Sequence, residues 1–289
     1  MKCRILPWAS AVLVAFGALL VAIPASASAA GSTGFVSLGN LSASPAPVDI
    51  YLYSSGDSSP QVVDRGVPYG TVLPYQQVSV GDYSVKMRAA GSSASSTPVW
   101  SVSLTVNAGG AYTVVPLRTT AQQGSLKVID NNLTTPNGKS LVRVIQADIN
   151  QKTITFHCSC APGAPGNITT DAAPGSVSPQ APIPTGTWTM SATGPNGTTS
   201  LPVTLTAATV HTEIVIAAPG GGIQIVNLTD AAGAGQAPTG GVSAGFGGTA
   251  PHRPGSTLPW LMLIGGGALL ILAGGWRLRR DRLRLFTPS

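Results

Sequence analysis

Apolar and polar side chains alternate along most of the chain between Gly34 and Asp230. Val48-Asp49-Ile50-Tyr51-Leu52-Tyr53 alternates, and Trp100-Ser101-Val102-Ser103-Leu104-Thr105-Val106 puts four apolar residues on one face. Ser84-Val85-Lys86-Met87-Arg88 does the same with its charges outward. A period of two, broken by Gly, Pro, Asn and Asp, predicts half-buried antiparallel strands joined by turns. No stretch away from the two ends has a convincing helical period.

The strands also recur in order. Phe35–Asn40 matches Leu141–Gln146, and Gly81–Val85 matches Gly186–Met190. Leu104–Ala108 matches Val203–Ala207, and Tyr112–Val115 matches His211–Ile214. Gly124–Asp130 matches Gly221–Asn227. Five segments keep one order at a near-constant offset of about one hundred residues, which predicts a tandem repeat. Several short strands per copy predict sandwiches. The expected fold is mainly β: two tandem antiparallel β-sandwich domains at 31–120 and 121–230, plus one C-terminal transmembrane helix.

The ends follow other rules. Residues 1–30 have the parts of a secretory signal: Lys2 and Arg4, the apolar run Ala9–Ile23, then Pro24 and small residues. Cleavage after Ala27, Ala29 or Ala30 fits equally. Residues 231–256 are almost wholly Gly, Ala, Pro, Ser and Thr, too poor in apolar side chains to offset ordering entropy, and are expected to form a stalk. Residues 257–276 are the expected membrane helix, and Leu258–Trp276 contains no charge. Spanning needs about 20 apolar residues. Trp260 and Trp276 bracket the span as interfacial aromatics, and Arg277, Arg279, Arg280, Arg282 and Arg284 follow. The positive-inside rule puts this basic tail, 277–289, in the cytoplasm and the N-terminus outside. No Leu-Pro-any-Thr-Gly sorting motif precedes the span. The expected localisation is therefore the cell membrane, single-pass, with the lipid bilayer contacted through one helix.

Composition supports strands and linkers: 35 Gly, 24 Pro and only 9% charged residues in 289. The net charge of +6 invites a nucleic-acid reading, but its placement excludes one. Between Gly31 and Thr257 nine basic residues face nine acidic ones. The excess sits in the n-region and the arginine tail, whereas polynucleotide binding needs a basic patch on the folded part.

Asn40-Leu41-Ser42-Ala43-Ser44-Pro45-Ala46-Pro47-Val48-Asp49-Ile50-Tyr51 resembles the start of a known family's pattern. So do Gly70–Tyr75, Val80–Val85 and Ala108-Gly109-Gly110-Ala111-Tyr112-Thr113-Val114-Val115. The family is the domain of unknown function 4397 of bacterial envelope and secreted proteins. The resemblance runs from Gly34 to Leu117. It is degraded in the second copy, where Asn150-Gln151-Lys152-Thr153 replaces the Ser-Pro-Ala-Pro stretch. It implies an extracellular β-sandwich, and it carries no catalytic residues.

His157-Cys158-Ser159-Cys160 is the chemically distinctive stretch. Exported proteins hold cysteines mainly as disulfides. At about 3.3 Å per residue the two Cα atoms of an extended pair lie about 6.6 Å apart, the upper edge of disulfide geometry. A local disulfide is one reading. A buried apolar thiol is another, because Cys158 aligns with Leu52. A metal site of His157, Cys158, Cys160 and His211 is a third. His211 aligns with Tyr112 and is expected on a strand surface. Asp49, Asp64, Asp82 and Asp130 are scattered and mostly adjoin turns, so they are expected to form turns or face solvent. No nucleophile elbow, phosphate loop or zinc-protease helix is present. The expected function is a non-catalytic surface module for binding, adhesion or envelope structure, without catalytic residues, cofactor or metal, with a cell-wall or protein ligand. The alternative is a redox or metal-binding protein using Cys158-Ser159-Cys160.

Overall fold

The computed structural model describes residues 33–43, 46–160, 166–232, 238 and 240–243. The predicted signal, most of the stalk, the membrane span with Trp260 and Trp276, and the tail arginines Arg277, Arg279, Arg280, Arg282 and Arg284 lie outside the described residues. Within those residues no helix is long and apolar enough to cross a membrane. The described chain is all strand and connection.

The first half contains β1 (Thr33–Asn40), β2 (Val48–Ser54), β3 (Val62–Val67), β4 (Thr71–Val72), β5 (Gln76–Ser79), β6 (Gly81–Ala89), β7 (Trp100–Val106), β8 (Ala111–Arg118) and β9 (Gly124–Asp130). The second contains β10 (Lys139–Gln146), β11 (Ile154–Cys158), β12 (Asn167–Ala172), β13 (Ala181–Pro184), β14 (Gly186–Gly194), β15 (Gly197–Leu205), β16 (Thr209–Ala217) and β17 (Ile223–Ala232). A short β18 (Val242–Ser243) returns to pair with β4.

One pairing scheme occurs twice. In the first half β3-β2-β6-β7 form one sheet, and β5, β1, β8 and β9 run in the other. In the second half β12-β11-β14-β15 and β13-β10-β16-β17 repeat that order. β9 hydrogen-bonds to β8, so residues 124–130 pair with the first half. In each half the two sheets face one another across an apolar core. Ile50, Leu52, Val85, Met87 and Leu104 meet Val36, Leu38 and Val114. Ile154, Phe156, Met190 and Val203 meet Val142, Val144 and Val215.

The structure corrects the expectation of antiparallel sheets throughout. β1 runs parallel to β8, and β10 parallel to β16. Between the members of each pair the chain crosses to the opposite sheet and returns, which is the long crossover a parallel pair requires.

A second difference concerns burial. Strands predicted to be half-buried are buried on both faces: Ala111–Leu117 and Thr209–Ile216 contain no exposed residue. The reason is a seam. Even-numbered Tyr112 and Val114 face the core of their own half, while Val115 and Leu117 face the other half. There they join Leu41, Val72, Ile129, Ile145, Ile214, Ile216, Val226 and Leu228 in one cluster. The halves are thereby packed back to back through the β8 and β16 sheets.

Because the seam is shared, unfolding is expected to be one cooperative calorimetric transition. Ile214→Ala, truncating a side chain that is 1% exposed, should cost about 2–5 kcal/mol in denaturant titrations. Two separate wild-type transitions would contradict a shared seam.

Candidate functional site

Most residues that carry the family resemblance hold the fold. The Asp49 carboxylate accepts the amides of Gly66 (2.8 Å) and Gly91 (3.1 Å) and lies 3.6 Å from Arg65. It therefore ties two turns to β2 from a buried position within the strand, and neither forms a turn nor faces solvent as expected. Gly70 has φ +78°, a left-handed conformation open to glycine. The Tyr83 hydroxyl donates to the Ser79 carbonyl (2.8 Å), and Trp188 Nε1 donates to the Pro184 carbonyl (2.8 Å) at the equivalent place in the second half.

Tyr75 lies in the seam, where β8–β9 meet β16–β17. Its hydroxyl accepts from Asn131 Nδ2 (2.6 Å), donates to Asp230 Oδ1 (3.1 Å) and lies 3.0 Å from Thr113 Oγ1. Asn131 also donates to Thr113 (2.9 Å), and Thr212 donates to Asp230 Oδ2 (2.6 Å). Register makes Thr113 equivalent to Thr212, and Asn131 to Asp230. Each half thus contributes one Thr/Asx pair, and Tyr75 joins them. Arg143 completes the cluster, donating to Asn131 Oδ1 (2.8 Å) and the Asp130 carbonyl (2.9 Å). Burial pushes the Asp230 carboxyl up to about 6, against the pull of Thr212, Tyr75 and Arg143. Burial likewise raises the Tyr75 hydroxyl and lowers Arg143.

A second polar group points into the core of the second half. His211 and Glu213 occupy the places of Tyr112 and Val114. The expectation of a surface position for His211 is wrong: it is 5% exposed. Its Nε2 meets Thr209 Oγ1 (3.0 Å), its Nδ1 faces Asn227 Nδ2 (3.2 Å), and burial lowers its pKa. Asn227 also donates to Glu213 Oε1. Glu213 Oε2 has no hydrogen-bond partner, and burial pushes this carboxyl up to about 8. The group is thus neutral below that value. Asp230, His211 and Glu213 are buried, whereas Tyr75 and Asn227 are partly exposed, and Arg143 and Asn227 each line a surface cleft.

Cys158 and Cys160 are joined in a disulfide, Cα–Cα 5.2 Å. That is shorter than an extended pair because β11 ends at Cys158. Cys158 pairs with Met190 as Leu52 pairs with Val85, and it packs in the core. No group of three or more His, Cys, Asp and Glu converges as a metal site among the described residues.

Another concave surface lies away from both clusters. A cleft of about 580 Å³ opens on the outer side of the first half, between the β2–β3 turn and the ends of β6 and β7. It is lined by Ser54, Asp57, Asp82, Ser84, Lys86 and Ser103, among others. Asp82 Oδ1 accepts from Thr105 Oγ1 (2.6 Å), and Lys86 Nζ lies 4.7 Å from the Tyr53 ring centre. Hydroxyls, two carboxylates and one ammonium can hydrogen-bond a polar ligand. The Asp57 and Asp82 contributions were not singled out from sequence as a pair, because a turn Asp and a strand Asp carry no common motif.

Residues 34–157 match the family model described as Domain of unknown function (DUF4397). Residues 34–157 thus carry a match to the DUF4397 domain. The matched segment takes in the whole first half and continues through β10 into β11. Among curated proteins, none matches the chain. A solved structure, the Bacillus anthracis TIE protein, is similar at a TM-score of 0.22 and 10% identity, over 64% of this chain and 34% of that one. The chain thus spans about a third of that protein's length.

The pH dependence of stability follows from the buried carboxyls. A carboxyl whose folded pKa is raised favours folding below its unfolded value and loses that advantage as pH rises through the folded value. For Glu213 this window runs from 4.5 to about 8, and for Asp230 from 3.8 to about 6. His211, lowered from 6.5, acts oppositely, losing stability on acidification below that value. Glu213→Gln keeps the shape and removes the titration. Its melting temperature is expected to fall less than wild type's between pH 5 and pH 8, by differential scanning fluorimetry. Parallel curves would refute the assignment.

Proposed function

We propose that this chain, with its DUF4397 match, is a non-catalytic binding or adhesion module displayed outside the cell, held to the membrane by residues 257–276. Of the 231–256 stretch expected to be a stalk, β17 and the pairing of β18 with β4 leave only the residues after Ser243 to set the module off from the membrane. The observation that carries the reading is the distribution of polar chemistry. The buried titratable groups Asp230, Glu213, His211 and Arg143 are committed to internal hydrogen bonds. Solvent-facing hydroxyls and charges line the Ser/Asp/Lys cleft of the first half. A pocket that combines hydroxyls and carboxylates with a comparable apolar wall suits a polyhydroxylated ligand such as cell-wall glycan, bound through hydrogen bonds and contact with the sugar's apolar face. The neutral charge balance of residues 31–257 is consistent with an uncharged partner.

Export and membrane retention rest on the signal features of residues 1–30, the uncharged run 258–276 and the arginines after it. The reading requires the Gly34–Asp230 region to be outside the cell.

A glycan array probed with the purified full-length chain tests the binding role. Binding to one glycan class is expected, and Asp57→Ala and Ser103→Ala should each weaken it about tenfold, or about 1.4 kcal/mol, without changing the melting temperature. Unchanged binding in both variants would place the ligand elsewhere, and no binding on arrays or in envelope pull-downs would reject the reading.

A further inference from the structure

We propose that Cys158–Cys160 is a reversible thiol–disulfide exchange site, with Cys160 the sulfur attacked and a dithiol the substrate class. This goes beyond the binding role and does not depend on it. The bond closes a loop of only three residues, so it removes little entropy from the unfolded chain and is a poor staple. The backbone around it is held without it. Cys158 N donates to the Gly166 carbonyl (2.7 Å), and Ser159 N donates to the Thr189 carbonyl (2.9 Å). The Ser159 hydroxyl accepts from Thr189 N (3.1 Å) and donates to the Thr189 carbonyl (3.2 Å). Four hydrogen bonds thus clamp the stretch against its neighbours, and the backbone can keep one conformation in both redox states.

The two sulfurs are not equivalent. Cys158 is 1% exposed among Phe156, Met190 and Ala192, whereas Cys160 is partly exposed beyond the strand end. An incoming thiolate therefore reaches Sγ of Cys160. Attack forms a bond between the incoming sulfur and Cys160, breaks the Cys158–Cys160 bond and leaves Cys158 as a thiolate that takes a proton. A second thiol on the same substrate then attacks the substrate sulfur of the mixed disulfide. Cys160 leaves, the substrate departs oxidised as its own disulfide, and the protein keeps both electrons as two thiols. Held two residues away, Cys158 re-forms its bond before a second monothiol arrives, so monothiols should be poor reductants.

The test uses the purified, oxidised full-length chain with dithiothreitol or glutathione at equal thiol concentration, followed by alkylation and mass measurement. Dithiothreitol is expected to open the bond in the native protein at least tenfold faster than glutathione. The reduced protein should keep its β circular-dichroism spectrum, melt within a few degrees of the oxidised form, and re-form the bond with oxidised dithiothreitol. Cys158→Ser should leave a thiol that reacts with an aromatic disulfide reagent at least tenfold faster than the thiol left by Cys160→Ser. Three results would each overturn the proposal: a bond opened only in denaturant, a melting temperature that drops by more than about ten degrees on reduction, or equal rates with the two reductants. The wild-type rates decide the matter even where a variant does not fold.

Discussion

Both central sheets bury two faces, and the rest of the architecture depends on that. A sheet in an ordinary sandwich offers one face to the core and one to water. Here Val115, Leu117, Ile129, Ile145, Ile214, Ile216, Val226 and Leu228 fill the space between the halves. At about 1.5–3 kcal/mol for each fully buried aliphatic side chain, such a seam supplies stability comparable to that of a small domain's own core. Neither half could expose that face to water without losing it.

An apolar seam by itself specifies register poorly, because aliphatic surfaces tolerate sliding. The polar cluster removes that freedom. Tyr75 must find Asn131, Thr113 and Asp230 together within 3.1 Å. A shift of one strand residue would turn Thr113 or Asp230 to the other face and strand buried donors and acceptors. The ionisable members are retained at an energetic cost visible in their shifts: Asp230 sits at about 6 and Arg143 is lowered. Glu213 and His211 have no counterpart in the first half, where Val114 and Tyr112 stand. Their shared partner Asn227 absorbs a polarity that the aliphatic core does not require.

Polar groups that solvent reaches line clefts in both halves. The cleft beside the β2–β3 turn offers hydroxyls, carboxylates and an ammonium to a ligand. The cysteine pair stands apart. It lies at the end of β11, one sulfur in the core and one at its edge, and that asymmetry gives a local disulfide a chemistry that its small staple value would not suggest.

Several features were legible in the amino-acid sequence because they depend on local periodicity. Strands at Gly81–Ala89 and Trp100–Val106 follow from alternation, which needs only that one face be buried, whereas Val48–Ser54 forms the expected strand but buries both faces. The match of Cys158 to Leu52 also agrees with the pairing. Alternation repeats every two residues, however, and so fixes a face but not a register. Gly124–Asp130 aligns by pattern with Gly221–Asn227, whereas pairing sets Gly124 against Arg118 and Ile223 against Ala217, two residues further on. The parallel pairing of β1 with β8, the burial of His211 and the meeting of Tyr75 with Asp230 across 155 residues were decided by tertiary structure alone. Each depends on which surface covers a strand's second face, and no local pattern encodes that partner.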